Sequence, residues 1–349
     1  FHCGGKLTMN SGHITITGGA APRSDRFKVG GDFEMNGAQL TLACADTDSD
    51  STLTIGGGLF MTNSALVTLQ SPCNAVEGEC GLVFAAEKLT LFNGCWIYPY
   101  SHNTNGASVL FQIADVKLAA GGGFNASAKG YGRTTGTGSQ YGPMTTATDG
   151  RGVDGGNAYS SVGAGHGGTG GLYKAVSPAY PRGKGLPYGD ARKPVFPGCG
   201  GAGSYNAANV PGRGGGLIRI ESDRFDLNGG SLLADAGSPP KFRSGASGGG
   251  IYVRARKFRG GGGIVSAKGG DGGTAGGDTK ATWCMAAGGG GRIAIWSGSG
   301  DRAVSENVSA GLVDPALLAA NPELYPPRCA TDGTFYWGVI SSGTMIVLR

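Results

Sequence analysis

The chain has 349 residues, including 71 glycines and 16 prolines, with only 15% charged residues and a formal net charge of +5. Glycine at about one residue in five far exceeds the usual ~7%, yet no Gly-X-Y period is present, which excludes a collagen triple helix. The 39% apolar content, much of it in alternating runs, excludes low-complexity disorder.

In chain order, the first third repeats one unit: a short alternating strand, a turn, and a second alternating strand. It runs Leu7-Thr8-Met9, Asn10-Ser11-Gly12, His13-Ile14-Thr15-Ile16, and returns as Phe33-Glu34-Met35, Asn36-Gly37, Ala38-Gln39-Leu40-Thr41-Leu42. A third copy spans Leu59 to Leu69 and a fourth Leu89 to Tyr98. The turn asparagines Asn10, Asn36, Asn63 and Asn93 are 26, 27 and 30 residues apart. From about residue 106 a second version has glycines at the turn and a small-residue strand after it. Its copies contain Val116-Lys117-Leu118, Phe225-Asp226-Leu227 and Phe258-Arg259-Gly260. Their lead-in strands are Val109–Ile113, Leu217–Ile220 and Ile251–Arg254, and Arg292–Trp296 is a last lead-in.

Period-2 alternation over four to six residues marks strands with one buried face. Strands repeating every 26 to 33 residues mark a solenoid, whose units bury their apolar faces only against neighbours. No apolar rhythm of 3.6 residues supports helical repeats, and the spacing is too short for propeller blades of ~40 residues. The expected fold is therefore all-β, a parallel β-solenoid.

On these residues the chain resembles the right-handed parallel β-helix of the pectin-lyase-like superfold. Gly214-Gly215-Gly216-Leu217-Ile218-Arg219-Ile220, Gly165-His166-Gly167-Gly168 and Gly288-Gly289-Gly290-Gly291-Arg292-Ile293-Ala294-Ile295 also resemble glycine-rich repeats of very large secreted or surface-anchored proteins. The resemblance covers roughly half the chain and speaks to architecture more than to activity.

Residues 1–300 are expected to form the solenoid. A glycine-rich insertion of about 130–213 interrupts it, and 29 glycines fall between residues 121 and 216. A structureless loop that long is improbable in a compact domain, so the expectation is an ordered excursion packed on one flank, with Cys199 as a candidate tie. Residues 301–349 are expected to form a C-terminal cap or docking segment. Asp314-Pro315 would open a short helix there. Two apolar strands follow, with Phe335, Tyr336, Trp337, Met345, Ile346 and Val347 as assembly candidates.

Eight cysteines without a C-x-x-C pair suit disulfides in an oxidising compartment better than zinc. Cys73 and Cys80 flank a short polar loop and form the preferred pair; the pairing of Cys3, Cys44, Cys95, Cys199, Cys284 and Cys329 stays open. Asn125 and Asn307 begin N-glycosylation patterns. Asp46, Asp48 and Asp50 resemble half of a calcium loop but lack its glycine and its closing glutamate. An acidic turn is the simpler reading, and a weak structural Ca²⁺ the alternative. No other cofactor is expected.

Pectin-active relatives imply an Asn-Thr-Asp, a paired Asp-Asp, a Gly-His-Gly and an Arg-Ile-Lys. This chain has Gly165-His166-Gly167 and Arg219-Ile220-Glu221, without the aspartate motifs. Inverting hydrolysis needs two carboxylates, so no catalytic residue is assigned. The tyrosines of the insertion, Tyr141, Tyr159 and Tyr188 among them, suit packing or stacking on sugar rings. Scattered basic residues give no nucleic-acid stripe, and no run approaches the ~20 apolar residues of a membrane span. A start at Phe1 without a signal peptide suggests a processed protein or a piece of a longer one. The expected function is a non-enzymatic extracellular or cell-surface structural protein. It would be part of a filament, appendage or adhesive layer, self-associating or joined to neighbouring domains. A carbohydrate-binding or polysaccharide-cleaving protein is the alternative, with glycans as partners.

Overall fold

The computed structural model describes residues 1–17, 27–43, 51–72, 80–132, 162–171, 185–201, 212–237, 244–273, 286–313, 319 and 330–341. Apart from Ala319, which is helical, the regular structure of these residues is all strand. In chain order the strands are β1 (His2–Cys3), β2 (Leu7–Asn10), β3 (His13–Thr17), β4 (Phe27–Val29), β5 (Phe33–Asn36), β6 (Gln39–Ala43), β7 (Ser51–Thr62), β8 (Leu66–Gln70), β9 (Cys80–Leu91) and β10 (Trp96–Tyr100). They continue as β11 (Ser108–Leu118), β12 (Gly123–Asn125), β13 (Leu217–Asp226), β14 (Ser231–Leu233), β15 (Gly250–Arg259), β16 (Gly263–Ser266), β17 (Arg292–Asp301), β18 (Val304–Asn307) and β19 (Thr334–Val339).

Every pairing is parallel, and the strands fall into two sheets. One has the backbone order β1-β4-β7-β9-β11-β13-β15-β17-β19, with β2 and β5 joining beside β7; the other runs β18-β16-β14-β12-β10-β8-β6-β3. From β5 onward the chain alternates between the sheets, and each strand pairs with its counterpart one repeat away. The sequence separates the lead-in strand from the one after it, but β11, β13 and β15 each carry both as one strand of 10 or 11 residues.

Constant register turns the alternating pattern into columns. In the larger sheet Phe27, Leu53, Phe84, Phe111, Ile220, Val253, Ile295 and Trp337 succeed one another, all but Trp337 buried. A second column reads Phe33, Leu59, Leu89, Val116, Phe225, Phe258 and Gly300. In the smaller sheet Leu40, Val67, Ile97, Phe124, Leu232 and Val265 do the same. These columns share one apolar core, so each repeat is stabilised by its neighbours and not by its own contacts. At the turns Asn63 Nδ2 donates to Asn36 Oδ1 at 2.6 Å, and Asn36 Nδ2 to Asn10 Oδ1 at 3.3 Å.

The glycines build a third layer beside the sheets. Residues 244–249 are extended, yet bond with more than the two neighbours of a sheet strand. Their backbone partners include Ala164, Cys199, Gly215, Ala234, Gly270, Ala286, Gly289 and Arg292. Such packing brings backbones closer than a side chain permits; a Cβ on Gly288 would overlap the Ala246 carbonyl. The insertion enters this layer directly: Ala164 N donates to Gly245 O and Gly198 N to Gly215 O. The expected helix after Asp314 lies outside the described residues except for Ala319.

Candidate functional site

The sheet that buries Val116, Phe225 and Phe258 turns their sequence neighbours outward. These neighbours line a groove of about 350 Å³, bordered by Asp115, Lys117, Arg224, Phe225, Asp226, Lys257 and Arg259. Alternation accounts for the placement, because residues flanking an inward position share the outer face. One outer column reads Lys88, Asp115, Arg224, Lys257, Ser299; the other reads Thr90, Lys117, Asp226, Arg259, Asp301. The groove thus carries four cations against two carboxylates.

Arg224 donates to Asp115 Oδ2 at 3.0 Å, while the Arg224 side chain remains 65% exposed. Asp301, the register partner of Arg259, has its Oδ1 engaged, accepting from the backbone amides of Gly260, Gly261 and Ala303. Those amides, with a smaller contribution from the Arg259 charge, hold its carboxyl below the ordinary aspartate value. Among the described residues no carboxylate lies within 4.0 Å of the charged nitrogens of Lys117, Lys257 or Arg259. The signal was present in the sequence as the triplets Asp-Val-Lys, Arg-Phe-Asp and Lys-Phe-Arg around the inward residues.

His166 sits elsewhere, wholly buried in the glycine layer. Its Nδ1–H donates to Gly248 O at 2.8 Å, and its ring stacks on Tyr188 at 4.6 Å. Nε2 has no partner among the described residues. Burial, reinforced by the nearby Arg292 guanidinium, pushes its pKa down to about 3, so the imidazole is neutral. Arg292 Nε donates to Tyr188 O at 2.7 Å, Tyr188 Oη donates to Pro197 O, and the Cys199 thiol donates to Tyr188 Oη at 3.3 Å. Here Gly-His-Gly is an internal clasp, with its glycines admitting the Gly290 carbonyl to the amides of Gly167 and Gly168.

The cysteine expectation needs correction where it can be seen. Cys3 and Cys95 are free thiols, and Cys199 is the thiol bonded to Tyr188. Cys95 continues a small-residue column with Ala38 and Ala65 at a tight turn, where a thiol acts as a compact apolar filler. Cys44, Cys73, Cys284 and Cys329 lie outside the described residues, as does the side chain of Cys80. So do Asp46, Asp48 and Asp50, and Met345, Ile346 and Val347. Of the insertion tyrosines named, Tyr141 and Tyr159 are also outside, while Tyr188 is buried.

Asn125 and Asn307 accept from the amides of Ser127 and Ser309, both at 3.0 Å, making Asx turns at one corner of the smaller sheet. Asn307 is exposed and Asn125 half-buried. Phe335 and Trp337 pack inward against the core. Tyr336 lies outward against Trp296 at 5.4 Å, with Arg192 over its ring. Among the described residues no three His, Cys, Asp or Glu side chains gather as a metal site, and no helix is long and apolar enough to cross a membrane. No protein family matches the chain, and no curated protein or solved structure matches it significantly.

Proposed function

We propose that the two parallel sheets are walls of a right-handed parallel β-helix of the pectin-lyase-like kind, serving as a non-enzymatic structural segment of an extracellular or cell-surface filament, appendage or adhesive layer. The observation carrying this reading is the column from Phe27 to Trp337, which holds one register through eight strands. Such a stack has no intrinsic length limit, and at about 4.8 Å per strand its nine backbone rungs span about 38 Å. Right-handedness follows from the strong preference of parallel crossovers. The glycine layer supports the same reading, since segments bonded to many neighbours resist bending and shear. In this reading residues 1–300 are the stack and residues 301–349 its cap or docking segment.

Among the described residues β1, β2, β3, β18 and β19 each pair on one side only. A further coil in the same register would add at those edges, and contacts of this head-to-tail kind propagate into filaments. Electron microscopy of the protein over a concentration series, with incubation on a polysaccharide panel, tests the proposal. The expected result is rods that lengthen end to end without cleavage products. Discrete particles at every concentration overturn the self-assembly. Released reducing ends or unsaturated products, lost in Asp226→Asn, overturn the non-enzymatic reading.

A further inference from the structure

The outer groove has a charge arrangement that folding does not explain. Arg224 and Lys257 are direct register partners on adjacent parallel strands, and Arg259 points outward two residues after Lys257. Like charges in register are destabilising. Arg259 lies in register between Asp226 and Asp301, whose Oδ1 is engaged by backbone amides, and Asp115 is paired with Arg224, so the Arg224 and Lys257 contact is the one without a carboxylate between its charges. Arg224, Lys257 and Arg259 therefore leave the groove with an excess of positive charge, four cations against the carboxylates of Asp115 and Asp226.

We propose that this groove binds a sulfated glycan, with one sulfate ester bridged by Arg224, Lys257 and Arg259. Three cationic side chains lining one groove suit a tetrahedral oxyanion, whose oxygens spread in several directions, better than a planar carboxylate with two oxygens. Guanidinium groups add paired N–H donors to charge attraction. The groove of about 350 Å³ is also much larger than one anion, at roughly 30 Å³ per water displaced, and falls in the range of small-ligand sites. Its remaining lining fits a sugar, because Asp226 and Asp115 can accept hydroxyl protons beside the cations. A uniform polyanion such as a nucleic-acid backbone would meet those carboxylates unfavourably. A chain that alternates sulfate with hydroxyl matches the checkerboard.

The test is binding of the intact protein to immobilised dextran sulfate, with neutral dextran, polygalacturonate and inorganic sulfate as further arms. Wild-type protein is expected to bind dextran sulfate and neither neutral dextran nor polygalacturonate, with inorganic sulfate a poor competitor. Combined Arg224→Ala, Lys257→Ala and Arg259→Ala should weaken binding about tenfold or more. A variant losing Lys6, Lys28 and Lys193, all outside the groove, should bind as wild type, and circular dichroism should show both variants folded. Equal loss in the two triple variants would mean attraction by net charge alone and overturns the proposal. Equal binding of polygalacturonate overturns the choice of sulfate, and full competition by inorganic sulfate overturns the glycan. None of these outcomes depends on whether the protein forms filaments.

Discussion

Trp337 packs its indole edge-on against the Phe258 ring at 5.5 Å, beside the place where the column above Phe258 ends in Gly300. Gly300 contributes no side chain, so the ring from the last strand covers a core that its own column leaves open. Arg302 lies over the outer side of that ring at 5.2 Å. Trp337→Ala should therefore open the end of the core and cost about 2 to 3 kcal/mol. A urea titration would show the midpoint falling, and an unchanged midpoint would mean that Trp337 does not close the core.

His166 makes stability depend on acid. Unfolded, it takes up a proton near pH 6.5; folded, only near pH 3. Between those values the unfolded chain binds more protons, so stability falls as pH drops from 6.5 toward 3. The contribution should reach about 3 kcal/mol by pH 4. Unfolding measured from pH 4 to pH 8 should give a flatter profile for His166→Gln than for wild type. Parallel profiles would count against a buried neutral imidazole.

The glycine layer predicts a contrast between two like substitutions. Gly288→Ala drives a methyl group into the Ala246 carbonyl and should cost about 2 kcal/mol or more. Gly4→Ala meets open space and should be neutral or stabilising by about 0.5 kcal/mol. Denaturation midpoints of the two variants would be compared directly, and similar shifts would contradict the close approach.

Cys95 fills a buried turn position and is not half of a disulfide. Cys95→Ala should retain the fold at a cost near 1 kcal/mol, while Cys95→Leu should overpack the turn and cost about 2 kcal/mol. A thiol titration of the unfolded protein should also show one reactive group fewer in Cys95→Ala than in wild type. A count raised by one, from a partner released by the substitution, would place Cys95 in a bridge.

The Arg224 and Lys257 register pair predicts that the groove is costly to fold. Lys257→Glu replaces a repulsive neighbour of Arg224 by an attractive one and should raise stability by about 0.5 kcal/mol. The gain should shrink in high salt, because these charges are exposed to screening. Thermal unfolding at two ionic strengths checks both the sign and the salt dependence.

The inward residues were legible because alternation is a local property. Leu40 and Leu42 alternate with Gln39, Thr41 and Ala43 within a single strand, and asparagine or glycine marks each turn. The groove was half legible: the triplets around Val116, Phe225 and Phe258 display its charges, but their meeting depends on which strands are neighbours. Arg224 and Asp115 pair across 109 residues, and no local pattern reports that distance. His166 was legible only as a motif, since neutrality follows from a burial supplied by distant backbone.

Glycine content shows the division most clearly. The sequence by itself determined that the chain is β-rich and repetitive, because apolar alternation and turn residues act over a few neighbours. Only the tertiary structure decided what the glycines do. They let segments such as 162–171, 244–249 and 286–291 approach to backbone contact, and that demand is set by strands far apart in the chain. Parallel stacking also placed Arg224, Lys257 and Arg259 on one open face. Register between distant repeats is decided by the shared core, which exists only once the repeats have assembled.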